Sequence, residues 1–363
     1  MFTSLFLNNT GLQVAYGTIT TMTDPEWYDC EEEEEENLEP WIPEYLKPFI
    51  IPYHDEFCYT HVYHHRLVAA LMMEGFLPIA DEGVILPKLH HKRCVVSLPE
   101  GLHVSKSIRK KSKKFRFTTN KCFDRVVHGC RNQHGPRCWL YPDLVKVFKE
   151  IYEAGQVKTI VNPSRNMATK QEAIVRMFSI EIWNEETNEL VAGELGYTVG
   201  NIYTSLTGFS AQDSAGSVQL ASVGRMLSKL GFALWDLGMD MEYKQGLGSH
   251  LMNRKDFVAH VANVRVTQSH NRLPITDSTG FNCKSLIDQT LSREELLSGS
   301  EPKVAPMEFV FTPKNAKKKK QKGTSFEEKD DNETNAVDMY YSRGNPDNQD
   351  DSPPKKRRSI VSK

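Results

Sequence analysis

Residues 178–210 read FSIEIWNEETNELVAGELGYTVGNIYTSLTGFS, and this stretch decides the fold. Three runs rich in β-branched and aromatic residues, 178–183, 190–197 and 202–207, are separated by polar 184–189 and by Val199-Gly200-Asn201. That punctuation predicts consecutive antiparallel hairpins. Immediately downstream, 217–231 carries Val218, Ala221, Val223, Met226, Leu227 and Leu230 at helical spacing. A strand is expected over 232–237 and a helix over 251–266. Antiparallel strands followed by a long helix and a further strand predict an α+β fold.

Upstream, 61–75 reads as an amphipathic helix ended by Gly75, and 76–79, 83–87 and 94–98 as short strands. Helical spacing recurs in 120–129 and 143–155, whereas polar 157–176, with Asn162-Pro163-Ser164, reads as an inserted loop. The expected organisation is an acidic flexible segment (1–40), a small N-terminal α/β domain (41–117), a catalytic domain (118–282) and a largely disordered basic tail (283–363).

The 363 residues are 39% hydrophobic and 25% charged, which excludes a wholly disordered or fibrous chain. No run approaches the roughly 18 consecutive apolar residues of a membrane helix. The first 22 residues lack a basic region leading into an apolar block, so secretion is not expected. Seven cysteines without a CxxC predict reduced thiols in a cytoplasmic or nuclear protein. Cys122, Cys130 and Cys138, with His128 and His134 between them, lack the paired spacing of zinc ligands, so no metal is expected. Neither GxGxxG nor GxxxxGK[ST] follows a strand, and no cofactor is expected.

A net charge of −2 conceals segregation. Glu31–Glu36 is an unbroken acidic run, while Lys314, Lys317–Lys320, Lys322 and Lys355-Lys356-Arg357-Arg358 make the tail basic. The tail clusters suit either nuclear import or simple solubilisation. Within the foldable part, Lys106, Arg109, Lys110, Lys111, Lys113, Lys114 and Arg116 follow one another with no acid between them. Apolar Leu102, Val104, Ile108, Phe115 and Phe117 anchor them, so a short helix and strand should present the cations outward. Crowded cations repel unless an anion neutralises them, and a phosphate backbone does so with counterion release.

Five segments resemble the leucyl/phenylalanyl-tRNA–protein transferases, a bacterial-type family with relatives in some eukaryotes. They are LMMEGFLPIADEG (71–83), GLHVSKSIRK (101–110), the 178–210 stretch, SVQLASVGRMLSKLGFALWD (217–236) and LGSHLMNRKDF (247–257). The resemblance implies an acetyltransferase-like (GNAT) catalytic domain behind the smaller domain. It implies an enzyme that moves an amino acid, Leu or Phe by family, from aminoacyl-tRNA to a protein's α-amino group, marking that protein for degradation; a monomer is expected. By the same resemblance Lys106, Arg109, Lys110, Lys111, Lys113 and Lys114 would hold acceptor-stem phosphates. Trp139 would stack on the terminal adenosine, other aromatics of that site being Met72 and Ile79 here. Asp236 matches the catalytic aspartate; from the residues alone it could equally be a turn residue or helix cap.

Tyr203, Leu220, Val223, Leu227 and Trp235 fall on lining positions of the aminoacyl pocket. The chain departs from the family at Gly238, where a glutamine is usual, at Leu206, where a glutamate is, and at Glu194 and Gly208, where methionines are. A carboxylate in a pocket widened by glycine suggests a cationic donor side chain, arginyl before lysyl. The competing readings are a tRNA-binding relative that no longer catalyses and an acyl-CoA-dependent acetyltransferase. The second needs a pyrophosphate-binding turn, for which Gln212–Ser217, carrying Asp213, is poorly suited.

Overall fold

The hairpins of 178–210 form the middle of a larger mixed sheet. A computed structural model describes residues 2–8, 11–17, 56–161, 171–266, 273–276 and 279–298. The acidic run 31–36, the tip of the expected loop at 162–170 and the basic tail clusters lie outside the described residues.

In chain order, β1 (Phe2–Asn8), β2 (Gly11–Gly17) and β3 (Cys58–Tyr59) make a three-stranded sheet. Helix α1 (His65–Met73) leads into the two-stranded sheet of β4 (Leu77–Asp81) and β5 (Val84–Lys88). Then come β6 (Lys92–Ser97), α2 (Lys106–Lys111), β7 (Phe115–Thr119), α3 (Phe123–His134) and α4 (Pro142–Glu153). Strands β8 (Val157–Val161), β9 (Gln171–Asn184), β10 (Leu190–Val199) and β11 (Ile202–Ser210) follow. The rest is α5 (Ala215–Leu230), β12 (Leu234–Gly238), α6 (Glu242–Gln245), β13 (His250–Asn253), α7 (Arg254–Val264), β14 (Phe281–Asn282), α8 (Cys283–Ile287) and α9 (Arg293–Leu297).

The main sheet has nine strands in the order β13-β6-β12-β11-β10-β9-β7-β14, with β8 also on β9. Among the described strands of this sheet β11 and β12 alone run parallel. Each face carries its own core. Helix α5 buries Val218, Val223, Met226, Leu227 and Leu230 against Tyr203, Trp235 and Ile180 on one face. Helices α3 and α4 bury Val126, Leu144, Val147 and Phe148 against Leu195, Tyr197 and Val199 on the other. The α+β expectation is met by this arrangement.

Four boundaries differ from the sequence reading. Strands β6 and β7 join the main sheet, so the segment assigned to a separate small domain shares its hydrogen bonds and its core. The expected loop 157–176 begins and ends as strands β8 and β9, paired from Val157↔Val175 to Val161↔Gln171. Its polar composition hid a hairpin in which Val157, Ala173 and Val175 are buried in the core. Residues 1–40, read as flexible, contain β1 and β2. Residues 283–298, assigned to the tail, form α8 and α9, with Cys283, Leu286, Ile287 and Leu296 buried under α5 and β7. No described helix is long and apolar enough to cross a membrane.

Candidate active site

The parallel pairing of β11 with β12 runs from Ile202↔Leu234 to Thr204↔Asp236 and then stops. Beyond it β11 continues to Ser210 on β10 alone, while β12 follows β6 to Gly238. The strands therefore open into a gap, and from Ser205 onward β11 is partly exposed. A bulge at Leu206, between the Gly196↔Ser205 and Leu195↔Thr207 pairs, rephases the strand beside this gap.

On the α5 face the gap is floored by Glu194. Its Oε1 accepts from Tyr203 Oη (2.7 Å) and Ser205 Oγ (3.0 Å), and its Oε2 from Gln219 Nε2 (2.9 Å). Trp235 Nε1 in turn donates to Ser205 Oγ (3.0 Å). Burial raises the Glu194 carboxyl above its ordinary value, against the pull of these three donors and of Lys244. The same burial, with Glu194 beside it, pushes Tyr203 well above 10. Gln219 Oε1 is buried and has no hydrogen-bond partner among the described residues. Gly208 faces this group: a Cβ there would stand 3.2 Å from Glu194 Cβ and 3.7 Å from Gln219 Nε2. With Gly193 O also 3.0 Å from such a Cβ, the glycine lets the backbone lie close over two polar side chains.

Three neutral donors already serve Glu194. Pocket positions Glu194, Tyr203, Gly208 and Trp235 do converge. Leu220 is partly buried, and Val223 and Leu227 lie in the core beneath α5. Leu206 belongs to the apolar cluster on the opposite face, because the bulge turns it there.

Asp236 points to that opposite face. Arg93 Nε and Nη2 donate to its Oδ1 (2.8 Å) and Oδ2 (2.9 Å), Thr204 Oγ1 to Oδ2 (3.0 Å) and the Gly238 N–H to Oδ1 (2.9 Å). Arg93 also donates to Gly75 O (3.1 Å) and lies 4.6 Å from the Phe257 ring centre. Each carboxylate oxygen thus accepts two bonds, its full capacity. With the side chain wholly buried, an amine cannot touch it in this arrangement. In this structure Asp236 forms a buried ion pair with Arg93 at the vertex of the gap. Glu194 and Asp236 have different hydrogen-bond partners.

The basic segment takes the expected form. Ser105 caps α2 by accepting from the Ile108 N–H (3.3 Å), and Lys106, Arg109, Lys110, Lys111, Lys113 and Lys114 are all exposed. Val104 and Ile108 seat the ridge on the α5-face core. Lys111 Nζ donates to Ser214 Oγ (2.9 Å), the residue that begins α5. Ridge and Glu194 group therefore meet at the first turns of one helix. Trp139 is half-buried, edge-on to Phe148 (6.3 Å), in the cluster on the other face that also holds Met72. The residues expected to contact RNA are thus divided between the two faces of the sheet.

Sequence reasoning missed Gln219, Ser205, Arg93 and Lys244. Gln219 had a signal: it lies four and eight residues before Val223 and Leu227, a polar residue in an apolar stripe. Arg93 had none, since His90–Arg93 reads as a charged turn. Lys244, nearly buried, donates to Leu237 O and Met239 O (both 2.7 Å) and clips the loop that leaves β12. Among the described residues no group of His, Cys, Asp and Glu has the makings of a metal site.

The structure is thus an α+β protein whose basic ridge meets a buried polar group at the start of α5, beside a parted strand pair. Residues 96–262 match the sequence profile described as Leucyl/phenylalanyl-tRNA protein transferase. Proteins named leucyl/phenylalanyl-tRNA–protein transferase are similar to the chain in Edwardsiella ictaluri (26% identity over 202 residues, 55% of this chain and 74% of that protein). Those of Azotobacter vinelandii (27%; 45% and 64%) and Citrobacter koseri (26%; 48% and 65%) are similar as well. The chain spans about two thirds to three quarters of their length. The matched region is similar to this family of aminoacyltransferases, at low identity.

Proposed function

We propose that the chain is an aminoacyl-tRNA–protein transferase of GNAT-like architecture. The observation that carries the reading is the junction of the lysine-rich ridge with the Glu194 pocket at the start of α5, through Lys111 and Ser214. An acceptor stem along the ridge would bring its esterified end to the gap between β11 and β12. The α-amine of a protein then attacks the ester carbonyl carbon, and the carbon–oxygen bond to ribose breaks. The amine's proton ends on the released ribose hydroxyl. The ester is already activated, so holding the two reactants together supplies much of the acceleration. Arg93 and Asp236 act as positioning residues, since they set the vertex where the strands part. The product carries one added N-terminal residue, a mark for degradation in the cytoplasm and, if the tail clusters are read for import, the nucleus.

The donor we infer is arginyl rather than leucyl or phenylalanyl. Gln219 Oε1 and the second acceptor position of Glu194 Oε2 are unfilled acceptors in a buried site. An apolar side chain would leave both unsatisfied, at about 1–3 kcal/mol each, whereas a guanidinium brings N–H groups and a countercharge. Transfer of labelled Arg, Lys, Leu or Phe from charged tRNA to peptides tests this directly. Transfer of Leu or Phe with no Arg would refute the pocket argument, and the Glu194→Met/Gly208→Met variant should shift preference toward Leu. A second reading, RNA binding without catalysis, draws support from the closed environment of Asp236. Absence of transfer with every donor, despite tight tRNA binding, would favour it.

A further inference from the structure

Among the described residues, the exposed large apolar side chains all fall in one short stretch: Met239 (52%), Met241 (41%), Tyr243 (57%) and Leu251 (44%). Exposed Asp240 and Glu242 are interleaved with them. The stretch leaves β12 where that strand forms one side of the gap and ends on β13, the edge strand of the main sheet. It is held in place: Lys244 clips its first leg to Leu237 O and Met239 O, and His103 N–H donates to Leu247 O (2.9 Å) on its second. Gly248 packs so closely that a Cβ would meet Gly101 O at 1.9 Å. Tyr243 also lies within electrostatic reach of Glu194.

Apolar side chains gathered on a fixed loop beside a reaction site mark a docking surface. RNA does not suit it, because Asp240 and Glu242 repel phosphate. A polypeptide carrying a free α-ammonium suits it on both counts: the acids attract the charge, and the methionines adapt to varied apolar side chains. Among the described residues β13 pairs only with β6, so its other edge adds backbone donors and acceptors for an extended segment. We propose that the 239–251 lip docks the N-terminal segment of the acceptor polypeptide, an extended chain with apolar residues behind its free amino group, and leads that amine to the β11–β12 gap. The proposal rests on the transferase reading and adds the surface that presents its second substrate.

The test uses the full chain, charged tRNA and peptides that share a first residue but continue with apolar or with acidic residues. Apolar peptides should have the lower KM. Met239→Ser/Met241→Ser and Leu251→Ser should raise that KM about tenfold, with kcat and tRNA affinity unchanged. Equal KM for both peptides, or variants that leave it unmoved, would overturn the proposal. So would a concentration-dependent dimer abolished by these variants, which would make a second copy the occupant. If no donor is transferred, anisotropy with a labelled apolar peptide still decides: binding lost in the variants supports the surface, and no binding overturns it. The docking surface and the transferase reading therefore fail separately.

Discussion

A carboxylate that accepts four hydrogen bonds has no acceptor position left, and Asp236 is in that state. Removing its charge strands Arg93 in a buried site, where an unpaired ion is far more costly than the pair is stabilising. Asp236→Asn should therefore lower unfolding stability by about 3–5 kcal/mol in urea titrations. The Arg93→Met/Asp236→Leu double variant should recover a substantial part of that loss. His90 offers a second residue-scale prediction. Burial, with Arg93 and Lys88 close by, pushes its imidazole down to about 4 from an ordinary 6.5, against the pull of Glu56 and Asp236. Above pH 6.5 both the folded and the unfolded forms carry it neutral. As pH falls from 6.5 toward 4 the unfolded chain gains a proton that the folded chain refuses, so stability is lost, by at most about 3 kcal/mol. His90→Asn should flatten the stability difference between pH 7 and pH 5.

At the scale of elements, two devices shape the site: the bulge at Leu206 and the tight approach of Gly248 to Gly101. The bulge sends Leu206 to one face and Gly208 to the other, which a strict period of two would not have done. Gly248 has φ +86°, a left-handed conformation that side chains resist, and its neighbour's carbonyl leaves no room for a methyl group. Gly248→Ala should destabilise the chain by about 2–4 kcal/mol, read as a lowered thermal midpoint. Because this contact joins the 239–251 lip to the turn leading into the ridge, the variant should weaken peptide and tRNA use together. Buried Glu181 shows the same economy of placement. It accepts from Thr118 Oγ1 (2.6 Å), Ser179 Oγ (2.6 Å) and the Lys121 and Cys122 N–H groups (3.2 and 3.1 Å), tying α3's first turn to the sheet.

For the whole molecule, the segregation of charge makes a quantitative claim. The ridge places Lys106, Arg109, Lys110, Lys111, Lys113 and Lys114 in solvent on one side, with Arg109 partly engaged by Asp288 (3.4 Å). If RNA phosphates lie along it, log affinity should fall linearly with log salt. Replacing Lys110 and Lys113 by Gln should reduce that slope by about 2 and weaken binding alike for every tRNA sequence. A fluorescence titration across a range of salt concentrations checks it, and an unchanged slope would remove the ridge from the RNA path.

How much of this was readable beforehand follows from the range of the forces involved. The strands of 178–210, helix α5 and the outward ridge depend on periodicity, turn residues and local charge, all properties of neighbouring residues, and the sequence by itself determined them. Which face a side chain turns to, and what meets it there, depended on partners remote along the chain. Asp236 is held by Arg93, 143 residues away, and Glu194 by Gln219 at a distance of 25. Strands β8 and β9 were hidden because the polar, proline-containing segment between them reads as a loop, although Val157, Ile160, Val161, Ile174 and Val175 are β-branched. Only the tertiary structure decided that the two carboxylates stand on opposite faces of the sheet, because burial and hydrogen bonding are settled by packing rather than by any residue's own character.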